Sequence, residues 1–331
     1  MITRICSVNE ESLREAKSIL SEGGVVAFPT ETVYGLAADA RRDDAVSEIY
    51  RIKGRPSDNP LIVHVHKDYD ITQLVFDDRA YAAKLRNAFL PGPLTLVYRS
   101  KGKVSKIVSC GLDTLAIRVP SHVGAQMFLR YTDMPLAAPS ANLSKHISPV
   151  SAQHVYADLN GKIPLILDGG VCTGGIESTV CDVTGDFPMI LREGLISREM
   201  IEAVTGKCEV YKLKSGEAAR SPGMKYKHYA PRCKTRLFEA EESDKAEECF
   251  KTCMLQGIKA YVLCEGGVAQ RFPQDRVLDL GRSENEMAAN LYNLLRQGEA
   301  VADLIIAIKP TKQDGIMAGV MNRLSKACAN E

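Results

Sequence analysis

Ser7-Val8-Asn9-Glu10 reads as a capping box, and the apolar spacing after it sets Leu13, Ala16, Ile19 and Leu20 on one face of a helix that Gly23-Gly24 ends. A short apolar run follows, Val25-Val26-Ala27-Phe28, and Pro29 halts it. Beyond a polar turn, Val33-Tyr34-Gly35-Leu36-Ala37 resumes, so two strands are expected here. Similar runs predict strands at Leu61 to Val65, Leu94 to Tyr98, Leu115 to Val119, Leu165 to Leu167 and Thr179 to Val183. Helical spacing predicts helices near Ala45 to Ile52, Asp78 to Ala88, Val123 to Arg130 and Ser151 to Asp158. Strands and helices do not alternate regularly. The expectation is a mixed α/β domain with a mixed, twisted sheet rather than a doubly wound one.

After Ile201 the texture changes. Thr205 to Arg220 is polar and weakly periodic, and it leads into Ser221-Pro222-Gly223-Met224-Lys225-Tyr226-Lys227-His228-Tyr229-Ala230-Pro231. Residues 206–232 are therefore read as an interdomain linker between a first domain over 1–205 and a second over 233–331. The second reads strand (Thr235 to Phe238), helix (Ser243 to Gln256), strands (Lys259 to Cys264 and Arg276 to Leu280), helix (Glu284 to Arg296), strand (Leu304 to Ile308) and a last helix ending near Lys326. This alternation predicts a small parallel sheet of Rossmann-like type, but without a GxGxxG it is assigned no dinucleotide.

Composition narrows the class. The 331 residues are 45% hydrophobic and 25% charged, as in a packed globular protein, and 42 Lys+Arg against 41 Asp+Glu leave +1, which argues against a globally basic nucleic-acid binder. Ten scattered cysteines form no CxxC pair and read as free thiols. No apolar h-region opens the chain and no run approaches a membrane span, so the cytoplasm is the expected compartment and no membrane partner is expected.

The chain lacks GxxxxGK[ST], HExxH, GxSxG and the kinase signature set. What remains are polar, Gly/Pro-punctuated segments at strand ends. Pro29-Thr30-Glu31-Thr32 puts hydroxyls and a carboxylate after a buried strand, as a ligand loop or a tight turn would. Lys53-Gly54-Arg55-Pro56-Ser57-Asp58-Asn59-Pro60 suits a polyphosphate, because Arg binds phosphate oxygens bidentately and Lys adds a point charge; a solvated loop would look the same. His64 and His66 alternate along one strand and read equally as structural. Arg118, inside the apolar run Leu115 to Val119, needs either a ligand carboxylate or an internal acid. Ala138-Pro139-Ser140-Ala141-Asn142, Ile176-Glu177-Ser178 and Leu191-Arg192-Glu193-Gly194 repeat the theme. Several cations and many hydroxyls without a nucleophile–base pair point to alignment of anions rather than covalent catalysis.

Taken in order, Pro29 to Leu36, Lys53 to Leu61, Pro91-Gly92-Pro93-Leu94-Thr95, Ala138 to Asn142 and Glu177-Ser178-Thr179-Val180 resemble the YrdC-like threonylcarbamoyl-adenylate synthase family. Ser221 to Pro231 resembles the linker of its two-domain form, and Ile316 to Ala327 its C-terminal helix. The resemblance implies that L-threonine, bicarbonate and ATP yield L-threonylcarbamoyl-adenylate and pyrophosphate, with Mg²⁺ carried by the ATP phosphates. It also implies downstream tRNA threonylcarbamoyl-transferase proteins as partners, and leaves weak tRNA contact open. By the same analogy Thr32, His64, Arg118, Ala138 and Ser178 line a threonine pocket. Lys53, Arg55, Asn59, Thr114, Ser140, Ser148 and Arg192 surround ATP, and the linker closes over it through Tyr229 or Tyr226. The chain departs from the pattern at Lys145, where Gly is usual, at Val150 in place of Thr, and at Cys110 in place of Ala. A double-stranded RNA-binding or ribosome-binding module is the alternative reading, and a carbamoyl-transfer maturation enzyme a remoter one.

Overall fold

The computed structural model describes residues 1–211 and 229–328. Strands β1 (Arg4–Ser7), β2 (Val26–Phe28), β3 (Gly35–Asp39), β4 (Ile62–His64), β5 (Val75–Phe76), β6 (Leu94–Ser100), β7 (Thr114–Arg118), β8 (Leu136–Ala137), β9 (Leu165–Asp168), β10 (Thr179–Asp182), β11 (Met189–Arg192) and β12 (Glu209–Val210) join in one sheet. Among the described residues its order is β1-β9-β2-β3-β8-β4-β7-β6-β10-β11-β12, with β5 on β6. The β1/β9, β9/β2, β4/β7 and β6/β10 pairs are parallel, whereas β2/β3, β3/β8, β8/β4, β6/β7 and β10/β11 are antiparallel, so the sheet is mixed as expected.

Helices α1 (Glu10–Ser21), α2 (Asp43–Lys53), α3 (Ala80–Phe89), α4 (Lys106–Ser109), α5 (Val123–Thr132), α6 (Ala152–Leu159) and α7 (Arg198–Thr205) accompany it. The run Val25 to Phe28 is apolar throughout because both faces of β2 are covered. Val26 and Phe28 pack with Leu13, Leu20, Phe128 and Leu129 of α1 and α5, while Val25 and Ala27 join the main core on the other side. The capping box of α1 lies two residues later than the sequence predicts: Asn9 accepts from Ser12 N and Ser12 Oγ accepts from Asn9 N, each at 3.0 Å. Ser7 is unavailable as a cap because it ends β1, paired with Asp168.

Beyond the linker, β13 (Lys234–Phe238), α8 (Ser243–Leu255), β14 (Ala260–Cys264), α9 (Gly266–Ala269), β15 (Val277–Asp279), α10 (Glu284–Val301), β16 (Leu304–Ile308) and α11 (Ile316–Ala327) form a second α/β unit. Its four strands, in the order β13-β16-β14-β15, are all parallel, as the alternating pattern predicts. The two sheets share a core, in which Ile176, Ile196 and Ile201 belong to the same cluster as Ala288, Leu291, Tyr292, Met317 and Val320. At the seam α11 meets the segment after β11 so closely that a Cβ on Gly319 would stand 3.0 Å from Gly194 Cα. A buried ion pair, Arg296 Nη2 to Asp158 at 2.9 Å, ties α10 to α6.

Candidate active site

The mixed sheet brings its strand ends to one cleft. Thr30, Val33, Tyr34 and Gly35 enter from the β2–β3 turn, His64 ends β4, Arg118 ends β7, and Ala138 to Asn142 follow β8. Glu177 and Ser178 precede β10, Arg192 ends β11, and Arg55, His146, Ser148 and Tyr229 complete the lining. Arg55, His64, Arg118, Ala138, Ser140, Ser148, Ser178, Arg192 and Tyr229, all expected from the sequence, therefore meet in one place.

At one end Thr30 organises the turn, its Oγ1 accepting from Thr32 N and Val33 N and donating to Val33 O at 2.6 Å. The Thr32 hydroxyl lies 2.9 Å from Thr30 Oγ1 and is buried behind the lining rather than in it. His64 is buried, and desolvation, with the Arg118 charge second, pushes its pKa down to about 3, so the ring is neutral. Its Nδ1 lies 3.2 Å from Ile62 O, a geometry that assigns the proton to Nδ1 and leaves Nε2 as an acceptor. Arg118 has the internal acid that an apolar strand demands: Nη2 donates to Glu31 Oε1 at 2.9 Å. The pairing is incomplete, because Arg118 Nε and Glu31 Oε2 are both buried without a partner.

At the other end Gly54, at φ +59°, caps α2, so that Lys53 turns inward and Arg55 starts the rigid loop. Lys53 Nζ donates to Ser140 O at 2.5 Å and to Asn142 O, and burial lowers its pKa well below the usual range. It thus braces the loop after β8 from behind the cleft. Arg55 lines the cleft, with Nη2 donating to the carbonyls of Asn59 (3.2 Å) and Pro60 (3.3 Å). Asn59 itself is buried outside the lining, with Oδ1 unpartnered. Arg192 donates to Ser178 O at 2.9 Å and to Ser178 Oγ at 3.2 Å, and Ser178 Oγ lies 2.8 Å from Thr95 Oγ1.

Thr114 is not brought to this cleft. It starts β7, whereas Arg118 ends it, and it borders a separate crevice with Pro60, Ser109 and Leu112. Four steps of extended strand, about 13 Å, separate the two ends. Tyr226 and the linker residues Ser221 to His228 lie outside the described residues. Tyr229 is described and buried, its ring stacked on Tyr292 at 5.3 Å. Lys145 adopts φ +72°, the left-handed region in which glycine is favoured, and its carbonyl accepts from Ala230 N at 3.0 Å. Cys110, at φ +53°, is likewise left-handed.

Glu177 stands in a segment that the sequence singles out, Ile176-Glu177-Ser178, but it has no assigned role there. Ser148 Oγ donates to its Oε1 at 2.6 Å, and Tyr292 Oη and Arg323 Nε donate to Oε2 at 2.9 and 3.1 Å. Burial pushes the carboxyl up, but Arg323, then Arg192, then the Ser148 hydroxyl overcome it and hold the pKa at about 2. Its partner Arg323 falls on the face of α11 shared by Val320, Leu324 and Ala327.

Residues 18–194 match a family described as Telomere recombination, and residues 196–329 match the threonylcarbamoyl-AMP synthase C-terminal domain. A threonylcarbamoyl-AMP synthase of Bacillus subtilis is 42% identical over 98% of this chain and 95% of its own length, and one of Pyrococcus abyssi is 40% identical over 97% and 95%. The chain belongs to the threonylcarbamoyl-AMP synthase family. A crystal structure of P. abyssi Sua5 complexed with L-threonine superposes with a TM-score of 0.90 at 39% identity, covering 99% of this chain and 97% of that one. The two-domain form of the threonylcarbamoyl-AMP synthases is thus present here, and the chain is an enzyme of their ATP-using, nucleotidyl-transferring class. That membership replaces the RNA-binding reading. A threonylcarbamoyl-AMP synthase needs room for an amino acid, a one-carbon anion and a nucleotide, and the cleft is lined by three guanidinium groups, Arg55, Arg118 and Arg192, together with the small residues Ala138 and Ser140.

Proposed function

We propose that this cleft condenses L-threonine, bicarbonate and ATP into L-threonylcarbamoyl-AMP, releasing pyrophosphate and water. The observation that carries the reading is the convergence of Arg55, Arg118 and Arg192 on one cleft that Ala138 and Ser140 also line. Arg118 takes the threonine carboxylate, completing the pairing that Glu31 leaves unfinished. The neutral His64 accepts at Nε2 from the threonine amine or hydroxyl, and Ala138 and Ser178 border the amino acid. The amine captures the carboxyl group of bicarbonate with loss of water, and the resulting carbamate oxygen attacks the α-phosphorus of ATP, from which pyrophosphate departs. The substrates supply the nucleophile, so the enzyme contributes alignment and neutralisation of charge on the phosphoryl oxygens by Arg55 and Arg192.

Lys53, Thr32 and Asn59 act from behind the lining by fixing the loops that carry the contacts. Ser140, Ser148 and Tyr229 face the nucleotide, and Tyr229 helps exclude the water that would hydrolyse the mixed anhydride. Among the described residues there is no cluster of His, Cys, Asp or Glu able to hold a metal, and Glu177, the one carboxylate lining the cleft, has both oxygens engaged. Mg²⁺, carried by the ATP phosphates, would neutralise part of their charge, and no step runs through it. The labile product requires tRNA threonylcarbamoyl-transferase proteins downstream. The first domain, read from the sequence as 1–205, includes β12 and so runs to Val210, and the linker leads from there to the second domain over 233–331. No helix among the described residues is long and apolar enough to cross a membrane, which is compatible with work in the cytoplasm. Pyrophosphate release from ATP that requires both L-threonine and bicarbonate tests the reading, and release indifferent to threonine refutes it.

A further inference from the structure

Two residues of the smaller domain hold Glu177 in the lining of the cleft, and we propose that Arg323 of α11 is a positioning residue for the nucleotide end of the site, acting through Glu177 and Tyr229. The inference rests on the cleft being the synthase site. Arg323 is wholly buried, and Nε donates to Glu177 Oε2 at 3.1 Å while Nη1 donates to the Glu193 carbonyl, one residue past Arg192. Its guanidinium carbon lies 6.0 Å from the centroid of the Tyr229 ring. From α10, Tyr292 works in the same direction, since its hydroxyl donates to Glu177 Oε2 at 2.9 Å and its ring stacks on Tyr229. Glu177 in turn accepts from Ser148 through its other oxygen. Two residues of the second domain therefore fix Glu177, Ser148 and Tyr229, all of which line the cleft.

The seam that carries this chain of contacts is closely fitted. Gly319 of α11 lies against Gly194, and a Cβ on Gly194 would in turn stand 2.4 Å from Thr179 N and 2.6 Å from Glu177 O. A shift of α11 thus moves the backbone that presents Glu177, Ser178 and Arg192. Around Glu177 stand Arg323 and Lys326 of α11, Tyr292 of α10, Arg192 of β11, Ser148 and Tyr229. Without Arg323, burial dominates at Glu177, whose carboxyl then takes up a proton at higher pH than in the parent. The Ser148 contact changes with it.

The full-length chain carrying Arg323→Gln, Arg323→Lys or Tyr292→Phe tests this. ATP and threonine affinities are measured by calorimetry, and the KM for each is measured from pyrophosphate release between pH 6 and 8. For Arg323→Gln we expect ATP binding to weaken by about tenfold or more with threonine binding nearly unchanged, and the ATP KM to rise further towards pH 6. Arg323→Lys recovers part of the loss, and Tyr292→Phe, which keeps the ring stack, shows the same bias more weakly. Equal losses for both ligands with no pH dependence would mean that Arg323 only holds the fold, and unchanged ATP affinity would equally overturn the proposal. Calorimetry needs no turnover, so a parent protein that releases no pyrophosphate refutes the reaction while the ATP-to-threonine bias still decides the role of Arg323.

Discussion

Replacing Arg118 with methionine removes the cation but keeps most of the apolar stem, and it leaves Glu31 alone in the interior. The pair is close to fully buried, with side chains 4% and 11% exposed, and joined by one bond of 2.9 Å. Breaking one side of such a pair costs about 3–5 kcal/mol, mostly because the surviving charge has no partner. The double variant Arg118→Met with Glu31→Gln removes that stranded charge and should recover most of the loss, which separates stability from ligand binding. In the double variant the threonine carboxylate still lacks its guanidinium. A charge-assisted bond contributes about 1.5–3 kcal/mol, so threonine affinity should fall on the order of ten- to hundredfold. ATP affinity should stay within about threefold, since independent sites behave additively. Urea unfolding reports the first effect and isothermal calorimetry with each ligand the second. Threonine affinity matching the parent, or equal loss of threonine and ATP, would refute the assignment of Arg118 to the threonine carboxylate.

Two further outcomes follow from the same geometry. Gly194→Ala should lower stability by about 1–3 kcal/mol, since the added methyl meets backbone atoms of Glu177 and Thr179, and a shift in the urea midpoint measures it. Acid should destabilise the fold in two overlapping windows. The His64 pKa is depressed from 6.5 to about 3, so the unfolded chain binds its proton first and stability falls as pH drops below about 6.5; Glu177, lowered from 4.5 to about 2, contributes stability that is present above 4.5 and lost towards 2. Between pH 7 and 4.5 the His64 contribution is on the order of 2–3 kcal/mol, and His64→Asn should flatten that slope in urea titrations.

Elements whose apolar runs are complete in themselves stand where their pattern predicts: β2 is read from Val25 to Phe28 and α5 from Val123 to Arg130. Elements that exist only through a neighbour escaped. The strand β8 is two residues long and is held between β3 and β4, and β1 is an edge strand defined by its register with β9, in which only Cys6 packs against the core while Ile5 is exposed. Site residues divide the same way. Arg118 and Arg55 stand out in sequence as charges in apolar or proline-bound settings, and both line the cleft. Thr114 is expected around ATP, and it borders a crevice at the opposite end of β7 from Arg118. Lys53 and Asn59 follow the expected loop, but their side chains turn behind it. Glu177 lies in a motif visible in the sequence, but the role that its partners give it depends on Ser148, Tyr292 and Arg323, which are 29, 115 and 146 positions away.

The most direct test of the central claim is the amount of pyrophosphate released from ATP by the full-length protein with L-threonine and bicarbonate supplied together, singly or not at all. The account predicts release only when both are present, with L-threonylcarbamoyl-AMP formed in equal amount. Release that proceeds without threonine, or none with all three substrates, would contradict it.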